Sequence, residues 1–243
     1  MNQGFYLFFL LALLAEIIGT ISGFGSSILF VPLASVFIDF KLVLGITAVF
    51  HVFSNLSKIF LFQKGIHKNI ALKLGIPAVA FVVLGAYLTS IIPQKEIELS
   101  MNLIILALTL FLISGAGKKI KQTNFNLYTG GVISGFMAGL IGTGGAIRGI
   151  TLAAFGLEKD IFIATSALID LGVDSSRAIV YILQGYFTQE HLILIPFLIV
   201  IAIVGSYLGK KILAFIPEKY FHYVVLGVIG AISILQTIQY FRA

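Results

Sequence analysis

The sequence predicts an all-α polytopic membrane protein made of two homologous halves. Three observations predict it. The composition is too apolar for water, the apolar runs have helical membrane length, and glycines and polar residues recur at one constant spacing. Of the 243 residues, 59% are hydrophobic and 11% charged, and the mean hydropathy is +1.08. A soluble domain is about half apolar and roughly a quarter charged. This chain therefore lacks the charge to cover a surface facing water, and its solvent is the lipid bilayer. The formal charge of +6 is not a nucleic-acid footprint, because the lysines sit in short loops between apolar runs. Cysteine is absent, which excludes disulfides and thiolate metal sites; no metal and no cofactor is expected. Tryptophan is absent too, so the interfacial belt falls to Tyr and Phe. Met1 to Gly4 carries no Lys or Arg ahead of the first apolar stretch, so no cleavable signal peptide is expected.

A helix needs roughly 20 apolar residues to cross about 30 Å of hydrocarbon. The runs are 5–21, 24–38, 42–62, 72–92, 97–115, 127–141, 145–156, 161–184, 190–213 and 220–240. Polar groups break them at Gln63-Lys64-Gly65, Pro93-Gln94-Lys95-Glu96 and Gly117-Lys118-Lys119. The longest polar connection, 117–126, is basic and marks the midpoint. It divides the chain into a first repeat, 1–116, and a second, 127–243. Four runs are short and meet in pairs at glycine clusters: Gly23-Phe24-Gly25-Ser26 and Gly142-Thr143-Gly144-Gly145. Such clusters favour a turn or unwound backbone over continuous helix.

Gly23 and Gly142 are 119 apart (142 − 23), as are Gly25 and Gly144. The same shift carries Thr47 to Ser166, His51 to Asp170, Asn55 to Asp174, Lys58 to Arg177 and Pro77 to Pro196. One residue later in register, Gly85-Ala86-Tyr87-Leu88 matches Gly205-Ser206-Tyr207-Leu208. A constant offset across glycines, a proline and polar residues predicts a duplication.

Charge predicts how the halves relate. If each glycine-broken pair enters and returns on one side, Lys64, Lys68, Lys73, Lys118, Lys119, Lys121, Lys159, Lys210, Lys211 and Lys219 share a face. Lys41, Lys95 and Arg242 take the other, ten against three. If each pair crosses once, the split is seven against six. The positive-inside rule prefers the lopsided arrangement. It puts the 117–126 loop in the cytoplasm and both termini outside. Each half is then a broken hairpin followed by three transmembrane helices, and the halves are inverted. Inverted repeats meeting at broken helices are a transporter architecture with the substrate near the midplane. Whether the hairpins are re-entrant or fully spanning stays open at this level.

Charges inside apolar segments are costly and usually face a cavity or a partner. Here they are Glu16, His51, Lys58, Arg148, Asp170, Asp174 and Arg177, joined by Asn55. His51, Asn55 and Lys58 fall at i, i+4 and i+7 on one helix face, and Asp170, Asp174 and Arg177 repeat that spacing. The functional reading is a central aqueous site. Lys58, Arg148 and Arg177 supply positive potential, and Glu16, His51, Asp170 or Asp174 exchange protons. The alternative is a set of buried ion pairs, such as Asp174 with Arg177 or Lys58 with Asp170, that only lock helices together. Glu16 is either a proton site or the acid paired with Lys58 or Arg148.

The glycine clusters add a second positive potential. A helix starting after Gly25-Ser26-Ser27, or after Gly144-Gly145-Ala146, presents unpaired N–H groups and the positive end of its dipole. Ser26, Ser27 and Thr143 add hydroxyl donors. Unwound backbone at membrane depth is tolerated only inside protein or beside water. No Gly-Lys-Ser/Thr follows Gly144-Gly145, so this is no P-loop. His67, His191 and His222 lie near span ends and read as interfacial. Tyr87 and Tyr207 read as packing residues of the core or an interface.

At these residues the sequence resembles the sulfite exporter TauE/SafE family of membrane permeases. The similar features are Gly23-Phe24-Gly25-Ser26-Ser27 followed by Val31-Pro32-Leu33, and the second copy Gly142-Thr143-Gly144-Gly145-Ala146. The helices carrying Thr47 and Thr165-Ser166 fit the same pattern, and the resemblance covers the whole chain. It implies secondary transport of sulfite, a sulfonate or a related organic anion across a bacterial inner membrane or its archaeal equivalent. The chain departs from the family pattern at Ser26-Ser27, where glycines are usual. It departs again at Arg148, where an apolar residue is common, and at Thr151, where a second Val-Pro-Leu would put proline. These departures leave the substrate open.

The leading expectation is therefore a small-anion transporter, with protons as the candidate coupling ion. A passive anion channel or uniporter is the alternative. An intramembrane enzyme is the weaker one: an aspartyl pair needs two carboxylates sharing a proton, normally from different helices, whereas Asp170 and Asp174 fall on one. No catalytic residue and no oligomeric state is predicted.

Overall fold

A computed structural model describes residues 3–114 and 120–217. The run 220–240, His222, Lys118, Lys119, Lys219 and Arg242 lie outside the described residues. The described chain is helical: α1 (Gln3–Ser22), α2 (Ser27–Ala34), α3 (Phe40–Leu61), α4 (Lys68–Leu88), α5 (Gln94–Ile113), α6 (Asn124–Ile141), α7 (Gly145–Ala153), α8 (Lys159–Leu183) and α9 (Ile195–Ala214). Among the described residues, Phe40–Leu61, Lys68–Leu88 and Gln189–Ala214 are long and apolar enough to cross a membrane.

Local chemistry sets the boundaries. The run 24–38 yields only eight helical residues. Gly25 holds φ +83 and delays the helix, a conformation that costs any side chain. The Asp39 carboxylate then accepts the Leu42 N–H at 3.1 Å and starts α3. Thr123 caps α6 in the same way. α6 stops at Gly142, whose φ of +76 is a left-handed C-cap. The run 190–213 divides into a 3-10 turn over Gln189–Leu194 and α9, because Pro196 suits the first turn of a helix but not its interior.

Glycines decide how the helices pack. α1 lies beside α9 and runs parallel to it. The Phe9 and Phe197 rings are 5.3 Å apart, and a Cβ on Gly205 or Gly209 would overlap Glu16 or Thr20. α6 lies beside α4 and is also parallel. A Cβ on Gly131, Gly135 or Gly139 would overlap the carbonyl of Leu74, Ala78 or Val82. Small residues at four-residue spacing let backbones touch, the close-packing device of membrane helices. α3 packs on α8 and α9, and α8 packs on α4 as well. Exchanging α1, α2, α3 and α4 for α6, α7, α8 and α9 maps these pairings onto themselves.

Polar contacts identify the two ends of the bundle. At one end Lys64 meets Asp160 at 3.3 Å, Lys73 Nζ donates to Asn124 Oδ1 at 2.9 Å, and Lys210 Nζ donates to the Leu61 carbonyl. The starts of α4, α6 and α8 and the ends of α3 and α9 therefore lie together. α6 and α7 enter and return at that end. At the other end Gln184 Nε2 donates to the Ala86 carbonyl at 3.1 Å, and Lys41 lies 5.3 Å over the Tyr186 ring. The start of α3 is there, and so is the start of α1, which runs parallel to α9. The pair α1–α2 thus enters and returns at the opposite end. Tyr87 and Tyr207 are exposed on the helix exteriors, with Lys211 over the Tyr207 ring, and belong to no packed core.

Candidate functional site

The two glycine breaks meet. A Cβ on Gly145 would overlap the Phe24 carbonyl, and one on Gly144 would overlap the Ser134 carbonyl. Ser27 Oγ donates to Thr143 Oγ1 across the junction at 3.4 Å. Around this contact lies one buried cavity lined by Gly25, Ser26, Ser27, Gly142, Gly144 and Gly145 of the breaks. His51, Asn55 and Lys58 of α3, Arg148 of α7, and Asp170, Asp174 and Arg177 of α8 complete the polar lining, with Ser54 beside them. The space open to the centre of a water-sized sphere is about 10 Å³, room for about one water. Of the residues singled out by sequence, Gly23, Glu16 and Thr143 stand just behind this lining. Gly23 borders a neighbouring small cavity shared with Lys58 and Asp170.

The charges are paired in three sets. Glu16, fully buried on α1, has Lys58 Nζ at 2.8 Å. Arg148 is ion-paired with Asp170. Arg177 Nε and Nη2 both lie 2.7 Å from Asp174 Oδ1, while Asn55 Nδ2 donates to Asp174 Oδ2 at 2.7 Å. Of the pairs offered above as the alternative, Asp174–Arg177 is formed and Lys58–Asp170 is not, because Lys58 pairs with Glu16. Asp170 and Asp174 each face their own guanidinium, an arrangement unlike two carboxylates sharing a proton. His51 joins the sets. Its Nε2 is 2.7 Å from Ser26 Oγ, and its Nδ1 is 3.8 Å from Asp174 Oδ2 and 3.4 Å from Arg177 Nη2.

The arginines also hold the broken ends. Arg177 Nη1 donates to the carbonyls of Ala138 at 3.2 Å and Gly142 at 2.7 Å, where α6 ends. Arg148 Nη2 reaches the Phe24 carbonyl at 3.5 Å, and Ser166 Oγ donates to the Gly23 carbonyl at 3.1 Å, where α1 ends. These carbonyls have no partner within their helices, and a cation there complements the negative end of the dipole. Gly25 leaves space before the Arg148–Asp170 pair. A Cβ built on it would lie 3.7 Å from Arg148 Nη2 and 3.9 Å from Asp170 Oδ2.

Sequence reasoning missed the hydroxyls of Thr20, Ser54 and Ser206 and named Ser166 without its partner. Ser54, Thr20 and Ser206 all donate to Glu16, and Ser166 accepts from Arg148 Nε at 3.0 Å. Ser54 had a legible signal, since it lies on the His51–Asn55–Lys58 face. Ser206 had a weaker one, as the only polar change between two matching tetrapeptides. Thr47 Oγ1 is buried without a hydrogen-bond partner among the described residues. Its counterpart Ser166 binds Arg148, but the position 119 before Arg148 is Leu29, so Thr47 has no arginine to meet.

The family model described as Sulfite exporter TauE/SafE matches residues 8–235 of the chain. No curated protein and no solved structure matches it.

Proposed function

Because the chain belongs to the sulfite exporter TauE/SafE family of membrane permeases, we propose that it moves a small sulfur-containing anion across the cell membrane by alternating exposure of the central cavity. The observation that carries this reading is the convergence of both glycine breaks and all three ion pairs on one buried pocket. Gly25, Ser26 and Ser27 at the start of α2, and Gly144 and Gly145 at the start of α7, are the anion-facing backbone, with Arg148 the cation nearest to Gly25 and Gly145. A cavity with room for about one water suits a carrier closed between loading steps better than an open pore.

Charge balance makes the proton the coupling ion. The three ion pairs cancel, so an added monoanion leaves the pocket one negative charge in excess. Charge of that kind in low dielectric costs several kcal/mol, and one proton restores the balance. Asp170 is the carboxylate best placed to take it. Glu16 has five donors and Asp174 has bonds from Arg177 and Asn55, whereas Asp170 is held by Arg148. Protonation of Asp170 releases Arg148 toward the anion. Anion and proton then travel together, so a proton gradient accelerates flux in its own direction. Purified protein in liposomes is expected to move sulfite or a small sulfonate, faster down a proton gradient, and Asp170→Asn to abolish the gradient's effect. Folded protein that moves no anion from a panel of sulfite and sulfonates would remove the reading. Flux indifferent to pH would turn it toward a uniporter.

The two halves act as inverted repeats in this proposal. Two features support it: the parallel pairings α1–α9 and α4–α6, and broken hairpins that enter from opposite ends. The lysine-rich end is then cytoplasmic. Single cysteines at Lys64 and Lys210 are expected to label from the cytoplasmic face and one at Lys95 from the other. Labelling of Lys64 and Lys210 from opposite faces would discard the arrangement.

A further inference from the structure

A second constellation adjoins the pocket and is built almost wholly of oxygen. Glu16 Oε1 lies 2.7 Å from Ser54 Oγ, 2.9 Å from Ser206 Oγ and 3.2 Å from Thr20 Oγ1; Oε2 lies 2.7 Å from Ser26 Oγ. The donors come from α1, the turn before α2, α3 and α9. All five residues are buried. Two nitrogens adjoin them: Lys58 Nζ, 2.8 Å from Glu16 Oε1 and 2.8 Å from Ser54 Oγ, and His51 Nε2, 2.7 Å from Ser26 Oγ.

A carboxylate with converging hydroxyls is a hard-oxygen donor set of the kind that holds a small hard cation. Hydroxyl hydrogens rotate, so each oxygen that now donates to Glu16 can instead offer a lone pair. Lysine carries a compact unit charge on a flexible stem, and here that charge lies against two of these oxygens, Glu16 Oε1 and Ser54 Oγ. Glu16 Oε1 has four donors within 3.2 Å, so three hydroxyls stay beside the carboxylate when the ammonium is removed. The place is reachable, because Ser26, Ser54 and Lys58 line the central cavity and Lys58 borders a second one.

We propose that Lys58 is a tethered cation: its ammonium stands in for a free cation at the oxygen cradle around Glu16, which takes sodium when the lysine is removed. The cradle stands on its own geometry. That Lys58 performs the task of a coupling ion, making transport independent of sodium, rests on the transport reading above. Removing the ammonium leaves Glu16 a buried charge without a counter-ion, the condition that draws in a free one.

The test compares thermal unfolding in detergent of the wild type, Lys58→Ala, Lys58→Ser and the double variant Glu16→Gln/Lys58→Ala. Each is measured in sodium chloride and in choline chloride at equal ionic strength. The expected result is a saturable, sodium-specific rise in midpoint for both single variants and none for the wild type or the double variant. Equal midpoints in the two salts for folded Lys58→Ala or Lys58→Ser would overturn the cradle. So would failure of both to fold in either salt, since sodium would then not replace the ammonium. In liposomes, wild-type flux is expected to be unchanged when choline replaces sodium, and a sodium requirement would overturn the tethered-cation role. A sodium-specific midpoint shift without anion flux would keep the cradle and remove the transport reading; flux without a shift would do the reverse.

Discussion

Arg177→Ala is expected to abolish transport and to lower stability by about 3–5 kcal/mol, the cost of leaving a buried partner charge unpaired. Arg177 is 1% exposed, so bulk water does not reach it to replace its contacts. It supplies two bonds to Asp174, and its Nη1 holds the last carbonyls of α6. Truncation leaves a buried carboxylate without its cation and two carbonyls without a donor. Thermal unfolding in detergent measures the loss, and liposome flux measures the function. Arg177→Ala combined with Asp174→Ala removes the orphaned charge and is expected to recover much of the stability but no flux. Full flux from folded Arg177→Ala would show that the guanidinium is dispensable at the site.

Gly145→Ala is expected to lose flux by roughly tenfold or more while the protein still inserts and folds. The added methyl meets the Phe24 carbonyl, which is backbone and cannot rotate away. Overpacking of this kind costs about 1–3 kcal/mol, and each 1.4 kcal/mol placed on a step is about tenfold in its rate or affinity. The strain falls on the contact between the two breaks, where the proposed anion site lies. Gly75→Ala is the comparison, because its Cβ would meet only the Ile169 side chain at 3.5 Å. That variant is expected to retain flux and to gain slightly from helix propensity. Equal losses from both substitutions would mean that glycine is needed for helix packing generally and not for the junction.

Much of this arrangement is legible in the amino-acid sequence. Apolar runs gave the helices, and the glycine clusters gave the interruptions at Gly23–Gly25 and Gly142–Gly145. The i, i+4, i+7 spacing put His51, Asn55 and Lys58 on one face of α3, and Asp170, Asp174 and Arg177 on one face of α8. The bonds that the small hydroxyls make were not legible. Ser and Thr can bond to their own helix backbone, so Thr20 and Ser206 read as ordinary tenants of an apolar helix, while Ser54 and Ser166 had a signal of place but none of partner. Their attachment to Glu16 and Arg148 depends on neighbours up to 190 residues away.

The sequence by itself determined the solvent of this protein, the places where its helices break, and the set of charges buried within them. Those follow from composition and from the helical period, which fixes which residues share a face. Only the tertiary structure decided that Lys58 pairs with Glu16, that Arg148 and Arg177 hold the broken ends, and that both breaks share one pocket. The period of a helix says nothing about which face meets which. That choice is made by glycines that let α1 lie on α9 and α6 on α4, and by the cost of any buried charge left without its partner.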